Sequence, residues 1–366
     1  MAAIYYTCNL VPASLVHGAG HSLLWLGNHL GDAAAPARRE ALGIHPMTCP
    51  YVTRLVAAAD DLLAAGPSED GVIVPAGCDA MRRMGDLLAA TYPDRVFVLP
   101  MPRSSGKETV RRLADDLARL DAWLHKRPPS PGTGEAPAEI GDEARARPPA
   151  VQYPQAPQQG GLFVVAGPLS DDTLLRLLLD LGAALSGLES CTSPDRWEPL
   201  FADELTPSAT ADGYEPASPY ERIAAAMLAA GVCPRRSTSL RRAHLERRLD
   251  QTRPCAIVYA RQSFCDPGAY DALEVARLAQ ERGLPYLEVE VGFPFEASGP
   301  LRTRVEAFLE AHSIDDDLLD AFDELDELDG FDELDELDGL DEYQGFGGTD
   351  DLAGLDERAG LQEKES

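Results

Sequence analysis

Twice along this chain, short apolar runs of strand length alternate with longer segments whose apolar residues recur at helical spacing. That alternation restricts the fold more than any other feature. The first series runs through "AAIYYTC", "GVIVPAGC" and "RVFVLPMP", interleaved with "YVTRLVAAADDLLAAG" and "ETVRRLADDLARLDAWLHK". In the last of these, Val110, Leu113, Leu117, Leu120 and Leu124 share one helical face while Arg and Asp hold the other. The second series has strands "LFVVAG", "CAIVYARQ" and "YLEVEVG" and helices "DDTLLRLLLDLGAALS", "YERIAAAMLAAG", "AYDALEVARLAQERG" and "LRTRVEAFLEAH". Gly187, Gly231 and Gly283 stand where helix ends would want them. Apolar strands separated by helices predict parallel sheets covered on both faces, hence an α/β protein of two lobes.

Between the series lies "RPPSPGTGEAPAEIGDEARARPPAVQYPQAPQQG", rich in Pro, Gly and Ala and poor in large apolar residues, as an exposed linker or insertion would be. The expected organisation is a first lobe over residues 1–126, the linker over 127–160, a second lobe over 161–312 and an acidic tail over 313–366. In the tail, "FDELDELDG" occurs twice in succession, with too little apolar surface to fold alone, so disorder is expected. Residues 315–366 carry 22 acidic and 2 basic side chains and account for most of the net charge of −29. The remainder is only mildly acidic, which excludes a broad cationic surface for nucleic acid. The one basic concentration, "RRSTSLRRAHLERR", contributes Arg235, Arg236, Arg241, Arg242, Arg247 and Arg248. Solvated helix faces are expected for these, with a phosphate-bearing ligand or a protein partner as the functional rival. There is no uninterrupted apolar segment of about 18 residues and no secretion signal, so no membrane association and a cytoplasmic location are expected.

Seven cysteines, an odd number scattered without a signal, argue for reduced thiols rather than a disulfide framework. Three share a setting. Cys49 in "HPMTCPYV" precedes a helix, whereas Cys78 in "VPAGCDAM" and Cys265 in "ARQSFCDPGAYDAL" each follow a strand. The crevice beyond the carboxyl ends of the strands is where open α/β sheets bind ligands, and a helix amino terminus favours thiolate. Thiolates 29 and 187 residues apart are not the close pairs of a zinc ribbon or ferredoxin. They suit a group large enough to be shared between lobes, and three ligands on a four-iron cluster leave one iron open. Asp79 and Asp266, each directly after such a cysteine, are expected to cap the next helix. His17 and His21, four apart on an expected helix without an HExxH pattern, read as solvated or hydrogen-bonded side chains. Cys8, Cys191, Cys233 and Cys255 read as core or surface thiols. "AGPLSDD" lacks the form of a phosphate loop, which assigns any ATP hydrolysis to another protein.

The stretches "YTCNLVPASLVHGAG", "HPMTCPYVTRLV", "DGVIVPAGCDAMRRMGDLL", "FVLPMPR", "FVVAGPLSDDTLLRLLLDLGA", "QSFCDPGAYDA" and "LPYLEVEV…LRTRVEAFLEA" resemble, in order, the 2-hydroxyacyl-CoA dehydratase D-component family. That family also includes benzoyl-CoA reductase subunits and double-cubane cluster proteins. The resemblance implies two Rossmann-like or flavodoxin-like lobes with a [4Fe-4S] cluster held between them by Cys49, Cys78 and Cys265. A double-cubane iron–sulfur cluster is the alternative, with Cys8 as the foremost additional thiol. It further implies an acyl-CoA substrate, an ATP-hydrolysing iron–sulfur activator protein as electron donor, and either a related second subunit or a homodimer. In the dehydratases a ketyl radical expels the 2-hydroxyl group. The rivals are an ATP-dependent reductase and a non-catalytic electron-relay subunit. Pro12 is followed by Ala13 and Ser14, where family members usually carry acidic residues.

Overall fold

The apolar runs become the strands of two parallel sheets with the same internal order. A computed structural model describes residues 2–30, 36–129, 160–169, 172–190 and 214–312. Residues 130–159 of the expected linker, the whole 313–366 tail and Cys191 lie outside the described residues. The first sheet comprises β1 (Ala3–Tyr6), β2 (Ser22–Trp25), β3 (Gly71–Ala76) and β4 (Val96–Pro100), in the order β2-β1-β3-β4. The second comprises β5 (Leu162–Ala166), β6 (Leu185–Ser190), β7 (Ala256–Gln262) and β8 (Tyr286–Val291), in the order β6-β5-β7-β8. Every pairing is parallel, with Ile4 opposite Gly71, Val72 opposite Val96, and Leu162 opposite Ala256 in register.

The first sheet is accompanied by α1 (Ala13–Gly18), α2 (Pro36–Ala41), α3 (Pro50–Ala65), α4 (Asp79–Thr91) and α5 (Lys107–Leu124). The second series contains α6 (Thr173–Asp180), α7 (Pro219–Ala229), α8 (Thr238–Thr252), α9 (Asp266–Arg282) and α10 (Gly299–Ala311). Burial on both faces is explicit in the second sheet. Val164 and Val258 belong to one apolar cluster, while their neighbours Val165 and Ile257 belong to another on the opposite face. Gly283 ends α9 with φ of 67°, a left-handed conformation that glycine adopts without strain. α7 starts from a reciprocal cap in which the Glu221 N–H donates to Ser218 Oγ and the Ser218 N–H donates to the Glu221 carboxylate.

Although it follows β6 in sequence, α7 packs against α5. Ala224, Met227 and Leu228 join the first sheet's core, and the Tyr220 hydroxyl donates to Asp121 at 2.7 Å. Phe293, after β8, meets the ring of Tyr51 on α3 edge-on at 5.1 Å. Both sheets therefore share packing within one compact unit.

Two local expectations are corrected. The segment expected to be one helix from Asp171 stops at Asp180 and its end becomes β6, so Gly187 is a strand residue. A Cβ there would lie 2.8 Å from the Phe163 ring, which explains the small residue. His17 and His21 do not share a helix, because α1 ends at Gly18. His21 is buried with Nε2 3.0 Å from the Leu124 carbonyl.

Candidate metal centre

Cys49, Cys78 and Cys265 occupy one structural role: each is the cap residue immediately before a helix, of α3, α4 and α9 respectively. The sequence builds this by two similar turns at the ends of the third strand of each sheet. Buried β3 runs to Ala76, and Gly77 turns back, its N–H donating to the Pro75 carbonyl at 2.7 Å, to deliver Cys78. After β7, Phe264 takes a left-handed φ of 56° and the Cys265 N–H bonds back to the Gln262 carbonyl. Such a conformation costs an aromatic residue about 1–3 kcal/mol and recurs where a site demands it. Pro50 opens α3 at a position where its missing N–H has no intrahelical partner to lose.

The three thiols line one cavity of about 470 Å³, together with Arg103, Arg235, Phe264 and Tyr270. Chain segments from both sheets thus contribute, at the carboxyl ends of β3, β4 and β7. Burial pushes the Cys49 and Cys78 thiol pKa values up. Backbone N–H groups of Tyr51 and Val52 at Cys49, and of Met81 at Cys78, work the other way by favouring thiolate. Asp79 and Asp266 are not the caps. They are the first helical residues of α4 and α9, and both are exposed.

Among the described residues, no three His, Cys, Asp or Glu side chains gather closely enough to hold a single metal ion. Thiols spread around a cavity would suit a polynuclear group, which is large enough to be shared by ligands from separate elements. The donor set, three cysteines at helix amino termini, is the soft, anionic set that iron–sulfur clusters use.

The other described cysteines, Cys8, Cys233 and Cys255, are thiols outside any disulfide. Cys8 packs against the first core and Cys255 against a second-sheet cluster, and neither lines the cavity. Cys233 also packs against the first core, but its charge reaches Cys78. Exposed large apolar side chains gather on the cysteine-bearing segments: Met47 before Cys49, and Phe264, Tyr270 and Leu273 around Cys265.

Sequence reasoning missed the support behind Cys265 because arginines in a basic run read as solvated. Arg241 is instead buried. It grips Asp271 with two bonds of 2.8 and 3.0 Å, Glu189 at 3.1 Å, and the Val232 carbonyl at 3.0 Å. Burial works against its charge, yet Asp271 and Glu189 raise its pKa further above the usual guanidinium range. Asp271 also lies 3.1 Å from the Tyr259 hydroxyl, which bonds the Gly268 carbonyl at 3.0 Å. Gly268 faces the Cys265 sulfur so closely that an added Cβ would sit 3.2 Å from it. Gly268→Ala is therefore expected to displace that sulfur by a few tenths of an ångström while changing thermal unfolding by less than about 1 kcal/mol. Thiol-labelling rate at Cys265, read by mass spectrometry beside a melting curve, checks both halves.

The family model described as 2-hydroxyglutaryl-CoA dehydratase, D-component, matches residues 8–136 and 130–311. A comparison with curated proteins finds no match.

Proposed function

Because the chain belongs to the 2-hydroxyglutaryl-CoA dehydratase D-component family, we propose that Cys49, Cys78 and Cys265 ligate a [4Fe-4S] cluster in a subunit of a 2-hydroxyacyl-CoA dehydratase. The observation that carries this reading is that three thiols, drawn from the ends of elements in both sheets, line one cavity. Bound there, the cluster would supply single electrons for ketyl-radical elimination of water from a 2-hydroxyacyl-CoA. The chain's own part is to fix the sulfurs at three helix starts, to accept them as thiolates through the N–H groups of Tyr51, Val52 and Met81, and to wall the cavity with side chains of both lobes. Phe264 and Tyr270, exposed at the cavity, favour a protein partner covering it, which on this reading is the ATP-hydrolysing iron–sulfur activator. A related second subunit completes the enzyme.

A double-cubane reductase is the second reading, favoured by one observation: Cys233 lies within electrostatic reach of Cys78 and would be an additional thiolate. The two part on product. The chain with its companion subunit and activator, given ATP and a strong reductant, is expected to convert a 2-hydroxyacyl-CoA to the enoyl-CoA with loss of water. A reduced product retaining all its oxygen would favour the reductase, and electron uptake without conversion would favour a relay subunit.

A further inference from the structure

Arg235 stands in the wall of the three-cysteine cavity, half-buried, on the connection between α7 and α8. Its position is fixed from both sides. One guanidinium nitrogen donates to the Met101 carbonyl just past β4. The adjacent Arg236, 4% exposed, donates to the Pro102 carbonyl at 2.6 Å and to the Leu228 carbonyl. Some buried or half-buried arginines meet carboxylates, Arg241 with Asp271 and Glu189, Arg242 with Glu274, and Arg261 with Glu288, whereas Arg95, Arg127 and Arg236 bond backbone carbonyls and, unlike Arg235, do not line the three-cysteine cavity. Arg235 has no such ion pair among the described residues. The two carboxylates that line the same cavity, Asp79 and Asp266, are exposed and sit at helix starts.

A desolvated cation without a counter-ion is costly. Burial depresses the Arg235 pKa, thiolate character at Cys233 and Cys78 opposes that, and the positive charges of Arg103 and Arg82 add to the depression. The cavity therefore gains from an anionic occupant, and three thiolates with a cluster are such an occupant. We propose that Arg235 is a positioning residue whose fixed positive charge offsets the negative charge of the group held by Cys49, Cys78 and Cys265 and so sets how readily that group accepts an electron. This rests on the cluster reading above.

The sign follows from electrostatics: removing the cation disfavours the more negative, reduced form. In the anaerobically reconstituted full chain, Arg235→Gln is expected to shift the one-electron reduction equilibrium about tenfold toward the oxidised form, which is about 59 mV to more negative potential. Arg235→Lys, which keeps the charge and loses the fork, is expected to stay within about threefold of wild type. A potential unchanged by Arg235→Gln would overturn the proposal. A second measurement needs no cluster. In the cluster-free chain, the ratio of alkylation rates of Cys78 by iodoacetate and by iodoacetamide cancels the thiolate fraction and reports the local charge. That ratio is expected to fall several-fold in Arg235→Gln and to recover in Arg235→Lys. An unchanged ratio overturns the role of Arg235 whether or not a cluster loads. A falling ratio in a chain that never takes up iron would instead remove the cluster reading and leave Arg235 as the cavity's anion-attracting group.

Discussion

Cys78→Ala is expected to erase the visible iron–sulfur absorption of the anaerobically reconstituted chain and to drop bound iron from about four per chain to below about one. Among the described residues three thiols line the cavity, and on this reading the loss of one would leave two ligands from separate elements, too few to hold a cubane. Cys49→Ala and Cys265→Ala should behave alike. Cys233→Ala should keep the cluster, because Cys233 packs against the first core and is not part of the cavity wall. Since Cys78 is only partly buried, its truncation should change the unfolding of the metal-free chain by no more than about 1 kcal/mol, so lost absorption would not reflect lost folding. A retained cluster in Cys78→Ala would show that the ligand set is wrong.

The second large effect concerns stability. Arg241→Met removes the guanidinium shared by Asp271 and Glu189 and leaves two buried carboxylates without it, at a cost of about 3–5 kcal/mol. The pair is 1–4% exposed on the carboxylate side and 3% on the arginine side, so solvent relieves little of the penalty. Because the same guanidinium holds the Val232 carbonyl and, through Asp271, the first turns of α9, the loss should also loosen both Arg235 and Cys265. Denaturant unfolding of the metal-free chain is expected to show a lowered midpoint, and cluster uptake should fall with it. Replacing Arg241, Asp271 and Glu189 together by apolar residues of similar volume should cost much less, which separates an orphaned charge from a lost contact. A midpoint unchanged in the single variant would mean that water or a side-chain shift satisfies the carboxylates.

How much of this was written in the sequence differs from element to element. Strands such as "VIVPA" and the "AIVYA" of β7, buried on both faces, are apolar throughout and announce themselves. β2 and β6 do not. Each is an edge strand: "SLLW" is half-buried at alternate positions, and "LSGLES" carries Glu189 and Ser190, which are buried but met by Arg241 and by the Gly167 carbonyl. The cysteines were legible because all three stand at element ends in recognisable words, and their shared place around one cavity follows from two sheets repeating one strand order. The capping role was misassigned because Asp is the commoner helix cap, whereas here the thiols take that position. Arg235, Arg236 and Arg241 looked like a solvated stripe. Their charges turn inward because carbonyls past β4 and carboxylates on β6 and α9 meet them, and those partners lie 30 to 134 residues away.

The most direct measurement is a count of iron and acid-labile sulfide in the full chain purified and reconstituted without oxygen. About four of each per chain is the result the account predicts, as one cubane on three cysteines requires. About eight irons would replace the single cubane with the double cluster and call for further thiols such as Cys233. A folded chain that binds no iron would contradict the claim that Cys49, Cys78 and Cys265 form a metal centre.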